Sequence, residues 1–196
     1  EEGYHIVLVG NPKHAEIIAS RSYGKNINVV YSEEEVDQLP SNLGKTIAIC
    51  QTTITENKFR FLVDYIRKTK YPDMKAVDTR CKPVKNQQQA VTDLAQWVDA
   101  MLIIGGYDSS NTTNLAKLAK KYLPNTVYHI DSPELVKVEW LQNIKHLGIG
   151  AGTSTPKEQI EDVQRKVAEI YPGKVMIRLE KEEGDMQGDF SASDEF

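Results

Sequence analysis

The sequence predicts an α/β fold of two small α/β/α lobes, each built on a mainly parallel sheet. The first observation is that short apolar runs lead into polar loops and then into helical patterns, an order that occurs four times along the 196 residues. The second is that strands alternating with helices form parallel sheets with helices on both faces. Because two sheets fit the spacing better than one, we expect one lobe over 1–80 and another over 81–179.

The four strand–loop–helix units set the order of the elements. Their strands are expected at 5–10, 46–50, 101–104 and 147–152, and the helices after them carry apolar residues at helical spacing. Shorter strands are expected at 27–30, 76–77, 126–130 and 175–179, and a helix over 86–97 leads into the second sheet. Residues 180–196 are acidic and poor in apolar side chains, which predicts a flexible tail.

The stretch 101–113 carries the clearest functional signal. An uncharged apolar run ends in two glycines, and Asp108, Ser109, Ser110, Asn111 and Thr112 then precede an apolar helical face. A strand, a glycine turn and a helix N-terminus bring free backbone N–H groups together with the positive end of the helix dipole, an arrangement that binds anions and phosphate above all. The alternative is that the serines merely cap the helix.

The loop at 152–158 has the same character. Ser154 or Thr155 is expected as the N-cap of the last helix, with Pro156 at the first helical position and Glu158 in the first turn. Because the polar loops all come after strand ends, they lie at the edges where open parallel sheets bind ligands. If the two sheets present these edges to each other, the loops converge on one cleft.

Composition limits the class of protein. A net charge of -4 with both signs mixed, and the absence of a long basic run with interleaved aromatics, argue against a broad nucleic-acid-binding face. No apolar run reaches the roughly 18 residues of a membrane span, and no signal peptide is visible. We therefore expect a cytoplasmic protein whose two cysteines stay reduced. Because the chain begins Glu-Glu-Gly without Met, we expect a fragment.

Four other residues are candidates for chemistry in the first lobe. His14 can donate to a phosphate, and Glu16 beside it can transfer a proton, although both are also typical of a solvated surface. Thr52, like Thr53, is placed either to donate a hydroxyl hydrogen bond or to cap a helix.

Cys81 differs from Cys50 in its surroundings. Cys81 stands between Arg80 and Lys82, whose positive charge favours the thiolate, the form that attacks electrophiles and ligates metals. One thiolate cannot hold a metal cluster by itself. Cys50 ends an apolar strand and is expected to be a buried, unreactive thiol.

Six motifs in order resemble the LytB-type hydroxymethylbutenyl diphosphate reductase family over roughly residues 4–172. They are His-Ala-Glu at 14–16, Gln-Thr-Thr-Ile-Thr at 51–55, Cys81 with Asn-Gln-Gln-Gln-Ala-Val at 86–91, Gly-Gly-Tyr-Asp-Ser-Ser-Asn-Thr at 105–112, Glu-Trp at 139–140, and Ala-Gly-Thr-Ser-Thr-Pro at 151–156. Each motif alone is weak, but six in the right order are specific.

The resemblance implies the remainder of a three-lobed, pseudo-threefold architecture around a 4Fe-4S iron–sulfur cluster held by three Cys. Such enzymes reductively remove the substrate's allylic hydroxyl and yield isopentenyl and dimethylallyl diphosphate, in isoprenoid synthesis by the non-mevalonate route. Their electrons come from a donor such as ferredoxin or flavodoxin. The resemblance makes Glu16 and Thr52 catalytic, assigns Cys81 to the cluster, and gives the diphosphate to His14, Ser109, Ser110, Asn111 and Ser154.

The chain departs from the family pattern at several points. The family's first lobe, with the two other cluster cysteines, has no counterpart here, so the 196 residues are not expected to be competent alone. Around Cys81 the family's aromatic-Ala-Thr and Asn-Arg-Gln are replaced by Lys-Pro-Val and Asn-Gln-Gln, while His-Ala-Glu replaces His-Pro-Glu. The alternative is therefore a non-redox paralogue that binds a phosphorylated metabolite. A further alternative, raised by the acidic tail, is an interaction domain within a larger fusion.

Overall fold

The computed structural model describes residues 3–171 and 173–177, and it divides the chain into two compact units, Glu1–Cys81 and Lys82–Phe196. The strands are β1 His5–Val9, β2 Ile27–Val30, β3 Thr46–Cys50, β4 Lys75–Ala76, β5 Ala100–Ile104, β6 Val127–Ile130, β7 His146–Ala151 and β8 Lys174–Ile177. The α-helices are α1 Ala15–Ser22, α2 Glu33–Asp37, α3 Glu56–Thr69, α4 Lys82–Leu94, α5 Ser110–Ala119 and α6 Lys157–Ile170. The predicted tail, 180–196, and the end of the predicted strand 175–179 lie outside the described residues.

The sheet of the first unit is parallel and has the strand order β2-β1-β3-β4. Its core side chains come from the central strands β1 and β3 and from α2 and α3, while Ile17 of α1 is buried as well. In the register, Val9 at the end of β1 faces Cys50 at the end of β3. The loops after these two strands therefore begin side by side.

The sheet of the second unit is also parallel, with the order β6-β5-β7-β8. Alternate residues of a strand point to opposite faces. Accordingly, Met101 and Ile103 of β5 pack with α4 and α5, whereas Leu102 and Ile104 pack with α6. The prediction of two small α/β lobes with parallel sheets is confirmed. Among the described residues, no helix has the length and apolar character that crossing a membrane requires.

Helix α4 differs from the prediction of a helix over 86–97. It begins at Lys82, directly after Cys81, and ends at Leu94. Pro83 is compatible with this start because the first-turn N–H groups of a helix have no intrahelical partner. Trp97 does not continue the apolar face, since it lies beyond the helix and is 73% exposed.

The predicted cap of the last helix is wrong by one or two residues. Helix α6 begins at Lys157 and its N-cap is Pro156, which has no side-chain cap hydrogen bond, although Glu158 lies in the first turn as predicted. Thr155 does not cap, because its hydroxyl donates to the carbonyl of Ile104, 3.0 Å away, and so ties this loop to the end of β5.

Helix α2 was not predicted, although a local signal for it exists. Ser32 and Glu35 form a capping box in which the Ser32 hydroxyl accepts from the Glu35 backbone N–H and the Glu35 carboxylate accepts from that of Ser32. Such a box satisfies two helix-terminal donors reciprocally. It stabilises a helix of five residues that apolar periodicity alone does not indicate.

Asp99 should make the second unit less stable in acid. The backbone N–H groups of Lys145 and His146 donate to its carboxylate at 2.8 and 2.9 Å and hold the pKa of Asp99 below its ordinary value. A lowered folded-state pKa gives stability that is present above the unfolded-state pKa, roughly 3.9, and lost as the pH falls through the lower folded-state value. Urea unfolding at pH 6 and pH 3, measured by tryptophan fluorescence, should show a smaller acid loss in Asp99→Asn. The exposed Asp131→Asn should behave like the unchanged chain; equal acid losses in all three would contradict the prediction.

Candidate functional site

In the first unit, the predicted site residues lie at the carboxyl edge of the sheet. His14 is the N-cap of α1, and its Nδ1 accepts from the backbone N–H of Glu16 at 3.3 Å. A neutral imidazole carries its proton on the nitrogen that does not accept. The cap therefore places the proton of His14 on Nε2, which is left as a donor for an acceptor such as a phosphate oxygen.

Glu16 is joined to Thr52 by two hydrogen bonds. The backbone N–H of Thr52 donates to Oε1 of Glu16 at 2.8 Å, and its hydroxyl donates to Oε2 at 2.8 Å. Both side chains are half-buried. These two donors fix the orientation of both carboxylate oxygens of Glu16. A proton can move directly between the carboxyl group of Glu16 and the hydroxyl of Thr52. Thr52 therefore does not cap α3, whose N-cap is Thr55.

Gln51 is a further site residue, one that the sequence patterns did not single out. Its side chain is 2% exposed, accepts from the backbone N–H of Asn11 at 3.0 Å, and donates to the hydroxyl of Thr53 at 2.9 Å. A buried amide that bridges two loops holds them at a constant separation. The only signal in the sequence was a polar residue directly after an apolar strand. Its role could be recognised only from its contact with Asn11 in the loop after β1.

Cys81 is exposed and is held close to Thr52 by the backbone. Its N–H donates to the carbonyl of Thr52 at 3.2 Å. Just before it, the hydroxyl of Thr79 donates to the carbonyl of Cys50 at 2.6 Å and accepts from the Cys50 N–H at 2.9 Å. These bonds extend the pairing beyond β4 and place the backbone of Cys81 beside that of Thr52.

Arg80 does not act on Cys81 in the way that its position in the sequence predicts. Its side chain is 6% exposed and turns into an ion-pair cluster, with a guanidinium nitrogen 2.8 Å from Asp78 and 3.2 Å from Glu56. Two carboxylates already compensate its charge. Arg80 therefore fixes the turn before Cys81 by linking it to the start of α3.

The two thiols should differ strongly in reactivity. Cys50 is buried as predicted, burial raises the pKa of its thiol, and both cysteines are free. Because alkylation needs an accessible thiolate, Cys81 should react with iodoacetamide at least about 100-fold faster than Cys50 in the folded chain. Peptide mass spectrometry after timed labelling checks this, and labelling in urea, where both should react, is the control. Comparable rates in the folded chain would contradict the prediction.

In the second unit, the loop after β5 is shaped by a glycine. Gly105 has φ of +141°, and a Cβ there would lie 2.6 Å from the hydroxyl oxygen of Thr155 and 2.8 Å from that of Thr112. The Thr112 hydroxyl donates to that of Ser109 at 2.9 Å. A side chain at this position would disrupt the packing of both threonines, so the close turn requires glycine.

The N-terminus of α5 combines a capped end with buried polar groups. Ser109 is the N-cap and accepts from the Thr112 N–H at 3.2 Å, so the capping interpretation holds for this serine. Asn111 is 3% exposed, and its Nδ2 donates to the Oε1 of Gln87 at 2.9 Å and lies 3.5 Å from the hydroxyl of Thr153. Because Ile104 pairs with Ala151, the loop that carries Ser154 begins beside this helix end.

Ser110 and Ser154 complete the predicted residues of this unit. Ser110 is half-buried in the first turn of α5, and Ser154 is exposed on the loop between β7 and α6. The unit thus gathers Ser109, Ser110 and Asn111 at one helix end, with the Ser154 loop next to it. Over 3–171 and 173–177, no three His, Cys, Asp or Glu side chains are grouped to hold a metal ion.

Fold and site together define a parallel α/β protein in which the loops at the carboxyl edge of each sheet carry the polar groups. The model of the LytB protein family matches residues 1–168, and the chain belongs to this family. The 4-hydroxy-3-methylbut-2-enyl diphosphate reductase of Aquifex aeolicus (strain VF5) is 37% identical over 180 residues, which is 89% of this chain and 61% of the relative. The first relatives matched are 58–61% covered, so the chain spans less than two thirds of their length.

Two solved structures are similar to this chain. A structure of (E)-4-hydroxy-3-methyl-but-2-enyl diphosphate reductase, 36% identical, matches 86% of this chain and 60% of its own with a TM-score of 0.52. The E-1-hydroxy-2-methyl-but-2-enyl-4-diphosphate reductase from Plasmodium falciparum matches 92% of this chain and 58% of its own with a TM-score of 0.81. At 19% identity, the second comparison supports the fold alone.

Proposed function

We propose that this chain forms the second and third lobes of a 4-hydroxy-3-methylbut-2-enyl diphosphate reductase. The observation that carries the proposal is the hydrogen-bonded series His14–Glu16–Thr52–Cys81 at one sheet edge. A hydrogen-bond donor to phosphate, a proton donor, a hydroxyl that relays the proton and a metal-ligating thiol are the groups that a reductive dehydroxylation of a diphosphate requires. Units Glu1–Cys81 and Lys82–Phe196 then correspond to the two lobes.

Diphosphate binding is assigned to His14 in the first unit and to Ser109, Ser110, Asn111 and Ser154 in the second. His14 offers its Nε2 proton, because Nδ1 is used by the cap. The start of α5 offers hydroxyls and the positive end of the helix dipole. Neutral donors of this kind bind a diphosphate without a basic patch, which agrees with the net charge of -4.

Proton delivery is assigned to Glu16 through Thr52. The Thr52 hydroxyl lies 2.8 Å from Oε2 of Glu16, within the reach of direct proton transfer. Glu16 gives a proton to the hydroxyl, which passes its own proton to the leaving oxygen of the substrate, so that water rather than hydroxide departs. The second hydrogen bond, from the Thr52 N–H, keeps the carboxyl group aligned while the proton moves.

The chain can supply one ligand of an iron–sulfur cluster. Cysteine thiolates hold such clusters, and Cys81 is exposed beside Thr52 while Cys50 is buried. We propose that the other ligands come from residues outside this sequence. When bound, the cluster supplies the two electrons of the reduction, delivered by a donor such as ferredoxin or flavodoxin.

A non-redox binding module is the second candidate. One observation favours it: the polar groups at the start of α5 interact with Gln87 and Thr153 of the same unit and need nothing from Cys81. Such a protein binds a phosphorylated metabolite through this helix end and carries out no reduction.

Iron and acid-labile sulfide in the full-length protein, purified without oxygen, test the proposal. We expect both in the unchanged protein, their loss in Cys81→Ser, and their retention in the matched Cys50→Ala. Circular dichroism confirms that each variant is folded. A folded protein without iron would refute the reductase proposal and leave the binding module. An iron content that Cys81→Ser does not change would refute the assignment of Cys81 as a cluster ligand.

A further inference from the structure

One amide oxygen of the second unit is buried without a partner. Asn111 donates through Nδ2 to Gln87, but its Oδ1 has no hydrogen-bond partner among the residues that the structure describes. A buried acceptor without a donor is unfavourable, and native proteins rarely retain one without a functional reason. The orphan oxygen points to a second arrangement of this pair of side chains, in which a donor takes the place of the oxygen and a bound acceptor satisfies it.

Gln87 makes that second arrangement available. Asn and Gln side chains each carry an acceptor oxygen and a donor nitrogen of nearly the same shape, and their terminal torsions rotate easily. If both amides turn over, the Nε2 of Gln87 donates to the Oδ1 of Asn111, and the hydroxyl of Thr153 can donate to the same oxygen. The Nδ2 of Asn111 then takes the place of the orphan oxygen and becomes a free donor.

An anion selects between the two arrangements. A phosphate group at the start of α5 presents acceptor oxygens, so it repels the Oδ1 of Asn111 and accepts from its Nδ2. We propose that Gln87 is a positioning residue that lets Asn111 turn its N–H donor toward a bound diphosphate. The inference rests on the proposed function, because it takes the ligand at this helix end to be a diphosphate.

Gln87→Glu tests the proposal, because a carboxylate only accepts and therefore holds Asn111 in the orientation without a free donor. Titration calorimetry of the full chain with inorganic pyrophosphate should show affinity lower by about tenfold or more, as expected for one lost hydrogen bond to a charged group. The matched control Gln89→Glu makes the same chemical change on an exposed position of α4 and should stay within about twofold. The uncharged Gln87→Met should also weaken binding.

An Asn111→Ala background separates positioning from charge. There, Gln87→Glu should cost no more than Gln89→Glu, since Gln87 acts through Asn111. The side-chain amide NMR signals of Gln87 and Asn111 are identified by their loss in Gln87→Met and in Asn111→Ala. Both should shift when pyrophosphate binds the unchanged chain. In Gln87→Glu the signals of Asn111 should stay close to their unliganded positions, a readout that a merely structural role would not change.

Each outcome has a definite meaning. A loss of pyrophosphate affinity in Gln87→Glu that requires Asn111, together with the NMR shifts of both side-chain amides, supports the proposal. Equal losses from Gln87→Glu with and without Asn111 overturn it while leaving the diphosphate site in place. Failure of the unchanged, folded chain to bind pyrophosphate overturns both this inference and the proposed diphosphate site.

Discussion

Glu16→Gln should lower the turnover of the proposed full-length, cluster-loaded reductase by about 100- to 10,000-fold, the range typical of a lost general acid. Gln has the shape of Glu and can still accept from the N–H of Thr52, which donates to Glu16 at 2.8 Å. It has no carboxyl proton to pass to the Thr52 hydroxyl, so the loop geometry survives while proton delivery fails. Steady-state kinetics should show the loss mainly in kcat, with KM little changed.

Two controls make this result specific. Glu33→Gln is the same chemical change at an exposed position on α2 and should leave turnover unchanged. Thr52→Val keeps the backbone N–H bond to Glu16 but removes the hydroxyl, and it should lower kcat in the same direction. If Glu16→Gln retained more than about a tenth of the turnover, the general-acid assignment would be refuted.

Gly105→Ala should destabilise the second unit by about 2–4 kcal/mol, through backbone strain and overpacking together. Its φ of +141° is one that L side chains rarely adopt, and the added Cβ would lie 2.6 Å from the hydroxyl oxygen of Thr155 and 2.8 Å from that of Thr112. The Thr155 hydroxyl holds its loop to the end of β5 and the Thr112 hydroxyl donates to the N-cap Ser109, so the proposed anion site should weaken as well.

Gly106→Ala is the matched control, because a Cβ there meets no atom within 4 Å. Its free energy of unfolding should stay within roughly 0.5 kcal/mol of the unchanged chain. The two tryptophans of the sequence, Trp97 and Trp140, both lie in the second unit, so urea unfolding measured by tryptophan fluorescence reports that unit. Equal stabilities of the Gly105→Ala and Gly106→Ala variants would contradict the proposed strain.

By itself, the sequence determined the alternation of strands and helices, the parallel sheets, the family resemblance and the burial of Cys50. These depend on local signals, since apolar runs, glycine turns and capping residues act within a few positions of one another. Local signals were less reliable at helix ends. Helix α4 starts four residues before its predicted start and α6 starts one residue after its predicted start. Proline and threonine are compatible with more than one position at the start of a helix. For α6 the position depends on the Thr155 hydroxyl, which donates to the carbonyl of Ile104 on β5 instead of capping the helix.

The tertiary structure alone decided which side chains meet. Glu16 and Thr52 are 36 residues apart, and Asn111 and Gln87 are 24 apart. Their contacts depend on which strands are neighbours in a sheet and on the register between them, and residue spacing encodes neither. The same reason explains why Gln51 was missed and why the charge of Arg80 was misjudged: their partners come from other loops or helix ends.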